Sequence, residues 1–412
     1  NLTNLSPEWI RSATRNAALD GTDIMAYNPG GMSRLKSGFH FSIGNTSFFR
    51  KPTHEYDYGM GAVKYEQEGN DLLVPNIYAS FNKNNWAVFG GVYIAGGGAT
   101  ANFPNGSIST DLITFGTLSN LYNVYGMPYT NGKNAYLKAS SYYISTAIGG
   151  AYSLNEKISV GLFARQFTAK NKAEAGVTIT DAYAQLPDMP LALETNSNAS
   201  GLGFVAGIDI KPTEKINLAV RYESKVGLEF ETDQVKDDFG FTTDGEKTNR
   251  DFPAVLGMGI SYSLTEKLKT SADFNYYFQK NADWGKTLVL DELIPTSELA
   301  GNASTYALSF EYNFSPKFLM SLGGVYSLFN YQDIEGYYMN IGAFETVPSN
   351  NFAISTGFAY NATEKIRINF GFTQGIYAKD KKIQALNYYP METDVTVNNN
   401  ISSIGIGVDF TF

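Results

Sequence analysis

Short polar turns recur along this chain at intervals of about 50 residues, a spacing that calls for a search for structural repeats. Each turn is followed by a run in which apolar and polar residues alternate, and long polar segments separate one unit from the next. One short turn and one long loop in each period is the pattern of a transmembrane β-barrel, whose short turns all lie on one side of the membrane. The five clearest turns are 154–157, 212–215, 264–267, 314–317 and 362–365.

The alternation is clearest after the last of these turns. Ile366, Ile368 and Phe370 fall on one face of a strand with a side-chain period of two, while Arg367 and Asn369 fall on the other. A charged face is costly against lipid but is tolerated against a water-filled or plugged lumen. Such runs therefore predict strands with an apolar outer face and a polar inner face.

Alternation along the whole chain predicts an all-β protein, a transmembrane antiparallel β-barrel of fourteen strands. Six short turns and seven long loops would connect these strands, which puts both ends of the barrel on the periplasmic side. The last strand ends at Phe412 and resembles the C-terminal insertion signal of bacterial outer-membrane proteins, which indicates the outer membrane. The predicted strands are 36–50, 71–82, 85–96, 135–153, 157–169, 200–211, 215–230, 251–263, 267–280, 302–313, 317–331, 350–361, 365–379 and 400–412.

Composition argues against several classes of function. The net charge of −9 disfavours nucleic acid as a partner, because binding to phosphates needs a basic surface. The chain has no Cys, which excludes disulfides, thiolate catalysis and cysteine metal sites. Of its two His residues, His40 falls on the lumenal face of the first predicted strand, and His54 falls in the next loop. We therefore expect neither an enzyme nor a cofactor.

Four acidic residues in one predicted external loop leave two interpretations open. They could bind Ca²⁺ or bridge lipopolysaccharide through divalent ions, or they could belong to an ordinary solvated loop. The sequence shows no metal-ligand cluster, so the solvated loop is the preferred interpretation and no metal site is expected. The four residues are Asp233, Asp237, Asp238 and Asp244.

The first 35 residues do not alternate, and they are predicted to form a separate domain, 1–35, ahead of the barrel domain, 36–412. They have the character of a short helical or irregular segment followed by a turn signal. A fourteen-strand barrel with strands about 4.8 Å apart and tilted by about 40° has a radius of roughly 14 Å, too wide for side chains to fill. An N-terminal plug inside the lumen is therefore expected.

Residues 15–32 carry a family resemblance. A stretch of small residues and an acidic residue are followed by Asn28, Pro29, Gly30 and Gly31, directly before the first predicted strand. This pattern resembles the FadL-like family of outer-membrane transporters for long-chain fatty acids and other hydrophobic compounds. Gly30 stands where the family commonly has Ala. In residues the resemblance covers mainly 15–35, and in predicted architecture it covers the whole chain.

The resemblance implies a route for a hydrophobic molecule. The N-terminal plug, or hatch, would fill the periplasmic half of the barrel, and the molecule would bind first among external loops and then beside the hatch. In the best-known member it leaves sideways through a gap at a kinked third strand. The third predicted strand here contains Gly90, Gly91 and Gly96, which favour either such a kink or close packing against the plug.

The longest predicted loop contains a helical stripe of apolar residues that begins near an N-cap candidate, Thr110. Apolar side chains on an external loop are costly unless they pack against the barrel rim or bind something apolar. The functional interpretation, which the resemblance favours, is a first hydrophobic ligand groove. Its residues would be Leu112, Phe115, Leu118, Leu121, Tyr122 and Tyr125.

Three arginines on predicted lumenal faces, Arg165, Arg221 and Arg367, are candidates for contact with a carboxylate head group. The alternative is that they pair with lumenal acidic residues or hold the plug. The sequence thus predicts a monomer that takes up hydrophobic small molecules, above all long-chain fatty acids, and contacts membrane lipid and lipopolysaccharide. Two other roles stay open: an adhesin or secretion-machine partner built on the same fold, and an open porin.

Overall fold

The computed structural model describes residues 5–57, 61–289, 291–332, 340, 342–343, 345, 349–377, 381–385 and 393–412. Its strands and helices are numbered here in chain order. Strands that run through the barrel wall are β1 (Gly38–Arg50), β4 (Asn70–Lys83), β5 (Trp86–Phe103), β6 (Asn131–Ser153), β7 (Ile158–Thr180), β8 (Met189–Thr213), β9 (Ile216–Glu223), β12 (Val255–Ser263), β13 (Leu268–Tyr277), β16 (Ala303–Ser315), β17 (Phe318–Phe329), β18 (Asn351–Asn361), β19 (Ile366–Tyr377) and β22 (Ile401–Thr411).

The remaining elements lie in the loops and in the bore. The loop strands are β2 (Thr53–Asp57), β3 (Ala62–Glu66), β10 (Glu229–Asp237), β11 (Lys247–Asn249), β14 (Lys286–Val289), β15 (Glu292–Pro295), β20 (Lys381–Ala385) and β21 (Thr393–Asn398). The helices are α1 (Pro7–Ser12), α2 (Ile108–Tyr125) and α3 (Thr296–Ala300), with short 3-10 helices at Thr22–Ala26, Pro29–Arg34 and Gln279–Asn281. None of the described helices has the length and apolar character needed to span a bilayer.

The wall is a closed antiparallel barrel. Strand β22 pairs with both β19 and β1, and β8 pairs with β9, so the sheet has no free edge within the wall. At the closing seam, the Phe39 N–H donates to the Phe412 carbonyl at 3.2 Å and the Phe412 N–H donates back at 2.9 Å. The sheet has sixteen strands in all, and β10 and β11 extend it beyond the fourteen that close. The predicted barrel of fourteen strands is confirmed.

Burial in the wall is the reverse of that in a soluble protein. On β9, the outward Val220 and Tyr222 are 45% and 43% exposed, whereas the inward Asn217 and Arg221 are 5% and 3% exposed. Apolar side chains normally lie inside and charged ones outside, so this alternation indicates a wall with lipid on its outer face. The bore is lined by polar groups that need partners.

Residues 5–35 lie inside the bore and supply those partners. Helix α1 is short: Ser6 caps its start by accepting the Trp9 N–H at 3.1 Å, and Ala13 ends it in a left-handed conformation with φ of 63°. Its residues Pro7–Ser12 are all buried against the inner faces of strands on one side of the barrel. The 3-10 helix Pro29–Arg34 packs against β6, β7 and β8 on the other side. The expected N-terminal plug is thus present in the lumen.

The wall accepts the plug because glycines stand where the two backbones meet. A Cβ at Gly371 would lie 2.5 Å from the Arg11 nitrogen, and one at Gly259 would lie 2.7 Å from the Ala17 nitrogen. A Cβ at Gly161 would overlap the Pro29 carbonyl group. Glycine within a strand often marks such a close approach of another backbone. At these three positions the plug and the wall leave no room for an added methyl group.

Several strands differ in length from the prediction. Strands β6, β7 and β8 have 23, 23 and 25 residues, although about 9–11 tilted residues are enough to cross a membrane. Their ladders continue beyond the length that crosses a membrane, through the polar run 170–172 that the sequence suggests is a loop. Conversely, β9 ends at Glu223 and β12 begins at Val255, both nearer the short turn than predicted.

Gly161→Ala should lower the free energy of unfolding by about 1–3 kcal/mol, the usual cost of overpacking, because the added methyl group meets Pro29 of the plug. Gly116→Ala on α2 is the matched control, since a Cβ there has nothing within 4 Å. Denaturant unfolding of the refolded barrel in detergent gives both values. Equal stability of the two variants would contradict the close approach of plug and wall.

Candidate functional site

Charge-assisted hydrogen bonds join the plug to itself and to the wall. Arg15 contacts Asp20 at 2.6 Å and Asp23 at 2.5 Å, and both partners belong to the plug. Arg11 reaches Glu311 of β16 at 2.7 Å. Bonds of this kind are about twice as strong as bonds between neutral groups. The first part of the plug is therefore held by buried ion pairs.

The predicted hatch motif forms a joint between the plug and β7–β8. Asn28 accepts the Gly31 N–H at 3.2 Å and donates to Asp209 Oδ2 at 2.7 Å. Asp209 also accepts from Arg34 at 2.5 Å and from Asn217 at 2.6 Å. Pro29 and Gly30 pack where the wall has glycine or bare backbone. All four motif residues thus hold the plug in place.

Two of the three predicted head-group arginines are engaged with the plug. Arg221 donates to the Asn16 side chain at 2.9 Å and to the Tyr27 carbonyl at 2.8 Å, and it pairs with Glu223 at 2.9 Å. Arg367 contacts Asp20 at 3.2 Å. These contacts match the alternative in which lumenal charges hold the plug.

Arg165 differs from the other two arginines. Its Nη1 donates to Glu223 at 2.5 Å, but its Nε and Nη2 have no hydrogen-bond partner among the described residues, although the side chain is 3% exposed. It borders a cavity of about 10 Å³ that is also lined by Tyr27 of the plug and Tyr93 of β5. That volume is near the minimum for one water molecule. Arg165 is therefore a buried cation whose Nε and Nη2 groups have no hydrogen-bond partner among the described residues, and it lies beside a very small cavity.

A packed apolar cluster lies beside this cavity, and the sequence interpretation missed it. After β9 ends, residues 224–228 turn into the bore and pair with 250–254 through reciprocal hydrogen bonds of 2.9 Å between Val226 and Phe252. We call these two segments the inner hairpin. Its side chains, with their neighbours on the wall, form one buried cluster: Tyr143, Phe167, Val226, Leu228, Phe230 and Phe252.

The inner hairpin was not predicted because its apolar residues continue the same alternation as the outward-facing residues of β9. Val226 and Leu228 have the same parity as Val220 and Tyr222, so a straight strand would point all four toward lipid. The bend at residues 224–225 turns the later two inward. The available signal is Gly227 together with Pro253, since both residues interrupt regular strands.

The glycines of β5 divide into two groups. Gly90 and Gly91 lie in regular ladders, opposite Ala79 and Tyr78 of β4. The β4–β5 ladder stops at the Asn76–Tyr93 pair, and the ladder with β6 shifts register on both sides of Gly96 and Gly97. Above this point the two strands meet again through the Asp71 carboxylate, which accepts the Thr100 N–H at 3.2 Å. A stretch of wall between these points has no β4–β5 ladder.

Helix α2 divides the predicted ligand groove. Ser107 caps it, three residues before the predicted cap at Thr110, because the Ser107 and Thr110 side chains satisfy each other's backbone N–H groups. Leu118 and Leu121 pack against the wall beside Val177 and Ile179. Leu112 and Phe115 are half-buried, and Tyr122 and Tyr125 are 65% and 62% exposed. The six residues are therefore divided between a side of the helix that packs on the wall and a side that is exposed.

The start of α2 is tied to other external loops. Tyr65 of β3 donates to both carboxylate oxygens of Asp111 at 2.8 Å, and Tyr56 of β2 also donates to this carboxylate. The Ser109 hydroxyl donates to Glu345 at 2.7 Å. Burial raises the pKa of Asp111, and the two tyrosine hydroxyls offset part of that rise. The helix is thus fastened at its first turn, while its last turn extends outward.

His54 packs beneath this region, with its ring stacked on Phe103 at 5.5 Å. Burial lowers the pKa of His54, which favours the neutral ring. The ring of His40 contacts the Lys36 carbonyl at 2.7 Å and the Thr411 hydroxyl at 3.3 Å. We see structural roles for both rings.

The acidic loop residues cap turns. Asp237 accepts backbone N–H groups from Phe239, Gly240 and Thr242 at 2.7–3.0 Å. Asp238 pairs with Lys236 at 3.0 Å. Across the ranges that the structure describes, no three His, Cys, Asp or Glu side chains are grouped so as to hold a metal ion.

A second concave surface lies on the outside of the wall. It is a groove of about 680 Å³ in which small residues such as Ala79, Gly90 and Ala164 lie beside the larger Phe81 and Ile148. Ile148 is 68% exposed, as expected for a side chain that faces lipid. This groove belongs to the bilayer-facing surface and not to the bore.

Comparison with known proteins identifies the fold. No protein-family model matches the sequence, and no curated protein sequence matches it. Among solved structures, a Pseudomonas aeruginosa FadL homologue superposes with a TM-score of 0.71 at 12% identity, over 100% of this chain and 99% of that chain. The toluene transporters TodX of P. putida and TbuX of Ralstonia pickettii give 0.68 and 0.63 at 12% and 16% identity, with the same coverage.

These likenesses extend over whole chains and include the plug. The protein therefore has the FadL fold, and the predicted resemblance is confirmed at the level of fold. A closed, plugged barrel with an apolar outer face is a barrel of the bacterial outer membrane.

Arg221→Met should loosen the plug, because it removes two donors to the plug and leaves buried acceptors unpaired. Breaking a buried pair from one side costs about 3–5 kcal/mol. Lys247→Met is the control, since its partner Glu229 and the lysine are both 57% exposed and such pairs contribute about 0–1 kcal/mol. Limited proteolysis of the plug in the folded barrel measures the difference. Equal resistance of both variants would show that Arg221 does not hold the plug.

Proposed function

We propose that this protein admits hydrophobic molecules through the outer membrane by passive passage, with the N-terminal plug closing its periplasmic end. The observation that carries the proposal is the buried apolar cluster that extends from the plug to the inner hairpin. An open porin would need a polar, water-filled lumen from end to end. A bore that is apolar in its middle and blocked below suits guests that partition out of water.

The guest that we favour is a long-chain fatty acid. Arg165 offers two unpartnered donors next to aromatic rings, with Phe167 at 4.9 Å and Phe252 at 5.5 Å from its guanidinium carbon. A carboxylate could accept from the arginine while its alkyl chain contacts the rings. Burying the carboxylate is then offset by charge-assisted hydrogen bonds.

Aromatic hydrocarbons are the second candidate. The apolar cluster contains Tyr143, Phe167, Phe230 and Phe252, and rings pack well on rings. Two structures with the same fold are those of toluene transporters. A hydrocarbon would use the rings and leave Arg165 without a new partner.

The proposed route begins at the outer half of α2, where Tyr122 and Tyr125 are exposed, and continues to the space beside Arg165. Its exit is either the stretch of wall above the Asn76–Tyr93 pair or the plug itself. Passage needs a guest that binds the open conformation better than the closed one. No energy source or cofactor is required by this scheme.

We propose a monomer whose contacts are with lipid, including lipopolysaccharide at the outer leaflet. The groove around Ala79 and Gly90 would then be covered by acyl chains. The alternative role, an adhesin or a partner of a secretion machine, requires a continuous external docking surface and no inner binding site. The buried Arg165 and its rings favour the transport role.

Phe115→Asp or Leu118→Asp should reduce uptake of a radiolabelled long-chain fatty acid, because a carboxylate on this side of α2 repels an acyl chain or displaces the helix from the wall. Ser119→Asp is the control, since it adds the same charge to an exposed position of the same helix. Surface amounts of folded barrel must be equal. Undiminished uptake by both variants would remove α2 from the route.

Arg165→Met separates the two guest classes. Loss of a hydrogen bond to a charged group should weaken oleate binding by about 1.5–3 kcal/mol, while toluene binding stays within twofold of wild type. Glu223 keeps its ion pair with Arg221 at 2.9 Å, so the substitution leaves no acid unpaired. Binding is measured with the detergent-solubilised protein and radiolabelled ligands. Unchanged oleate affinity would refute the head-group role.

A further inference from the structure

We infer that the inner hairpin is a second gate, separate from the N-terminal plug, and that Phe252 is the side chain that closes it. The inference rests on the proposed function, because it assigns a moving part to the same route. It concerns residues 224–228 and 250–254, which the strand pattern alone would place in the wall.

The wall is shaped to receive this hairpin. A Cβ at Gly203 would lie 2.6 Å from Val226 Cγ2, and a Cβ at Gly201 would lie 2.7 Å from Val226 Cγ1. Val226 is fully buried as a result. Two glycines, at alternate positions on the inner face of β8, thus form a flat seat for one side of the hairpin.

Phe252 packs against β5 and β7. Its ring lies 4.8 Å from the Phe167 ring and 5.5 Å from the Arg165 guanidinium carbon. Its Cε2 atom lies 3.0 Å from the position that a Cβ on Gly96 would take. Gly96 is three residues beyond Tyr93, where the β4–β5 ladder ends. The ring therefore lies beside both Arg165 and the irregular part of β5.

One carboxylate, that of Asp251, anchors the hairpin to neighbouring segments. Asp251 accepts the Leu228 N–H at 3.2 Å, the Asp283 N–H at 2.9 Å and the Lys225 ammonium at 2.7 Å. Its carbonyl accepts the Trp284 indole N–H at 2.7 Å. Backbone bonds also join its two segments: Val226 and Phe252 bond in both directions, and the Arg250 N–H donates to the Leu228 carbonyl, each at 2.9 Å. The segments run between the ladders of β9 with β8 and β12 and the ladder of β10 with β8, so the Val226 and Phe252 side chains can move without opening either set of ladders.

The cavity is too small for a guest unless side chains around Arg165 move. The space beside Arg165 is about 10 Å³, whereas pockets for organic ligands measure about 300–1,000 Å³. Moving the hairpin would free the volume that Val226 and Phe252 occupy next to Arg165. A hydrophobic guest replaces the contacts that the ring loses, so it favours the open arrangement.

A disulfide across Gly203→Cys and Val226→Cys tests whether the hairpin must move. The chain has no Cys of its own, so the engineered pair is unique. Contact between position 203 and the Val226 side chain is consistent with the Cβ separation of about 3.5–4.5 Å that a disulfide needs. We expect the oxidised full-length protein to lose most of its oleate uptake in proteoliposomes and to recover it in reductant. Each single-cysteine variant, treated with the same oxidant, is the control.

A second readout needs no transported guest. Ala95→Cys puts a thiol on the cavity beside Arg165, where its labelling by N-ethylmaleimide reports entry to the closed space. Phe252→Ala should accelerate this labelling severalfold. Phe204→Ala, which removes an outward ring that is 48% exposed, should leave the rate unchanged.

Failure of the gate and failure of the proposed function would give different results. Full oleate uptake by the oxidised disulfide variant, or equal labelling rates in the Phe252→Ala and Phe204→Ala backgrounds, would overturn the gate. Absence of both oleate and toluene uptake by the wild-type protein would instead count against the proposed function, and the labelling rates would still decide whether Phe252 closes the cavity.

Discussion

The polar lining of the bore is the constraint on which the rest of the structure depends. A wall whose apolar face must meet lipid has its polar face turned inward by the two-residue period of a strand. Side chains alone cannot fill a fourteen-strand barrel, so buried groups such as Asp209, Asp273 and Glu311 need donors from elsewhere. The plug supplies them: Asn28 and Arg34 donate to Asp209, backbone N–H groups donate to Asp273, and Arg11 donates to Glu311. Plug and wall are consequently one hydrogen-bonded unit.

Lipid explains both how much of the fold the sequence could predict and where the prediction fails. Within the membrane, every second residue must be apolar, so the strands and their number follow from alternation. Above the membrane this requirement ends, and the upper parts of β6, β7 and β8 contain runs such as 170–172 that do not alternate. The inner hairpin shows the opposite failure. Its apolar residues do alternate, but the bend after Glu223 points them into the bore.

The candidate site was only partly predictable for a related reason. Alternation places Arg165, Arg221 and Arg367 on the inner face alike, and nothing local distinguishes them. Their roles depend on which plug residue lies opposite, and those contacts span 194–347 positions of sequence. The hatch motif is different, because Asn28 caps a turn within its own segment before it reaches the wall. Local chemistry therefore identified the plug, whereas long-range pairing decides which arginine has N–H groups without a partner among the described residues.

The two closures of the bore differ in the interactions that hold them. The plug is fastened by buried ion pairs and charge-assisted bonds, which an apolar guest cannot replace. The Val226 and Phe252 side chains of the inner hairpin are held by ring and aliphatic contacts, which an apolar guest reproduces once it occupies the same space. A hydrophobic molecule therefore has differential affinity for an open hairpin but little for an open plug. By this reasoning the inner hairpin moves before the plug does. The guest then meets β5 above the Asn76–Tyr93 pair, which is the weakest part of the wall. No β4–β5 ladder is present there until the hydrogen bond between Asp71 and Thr100.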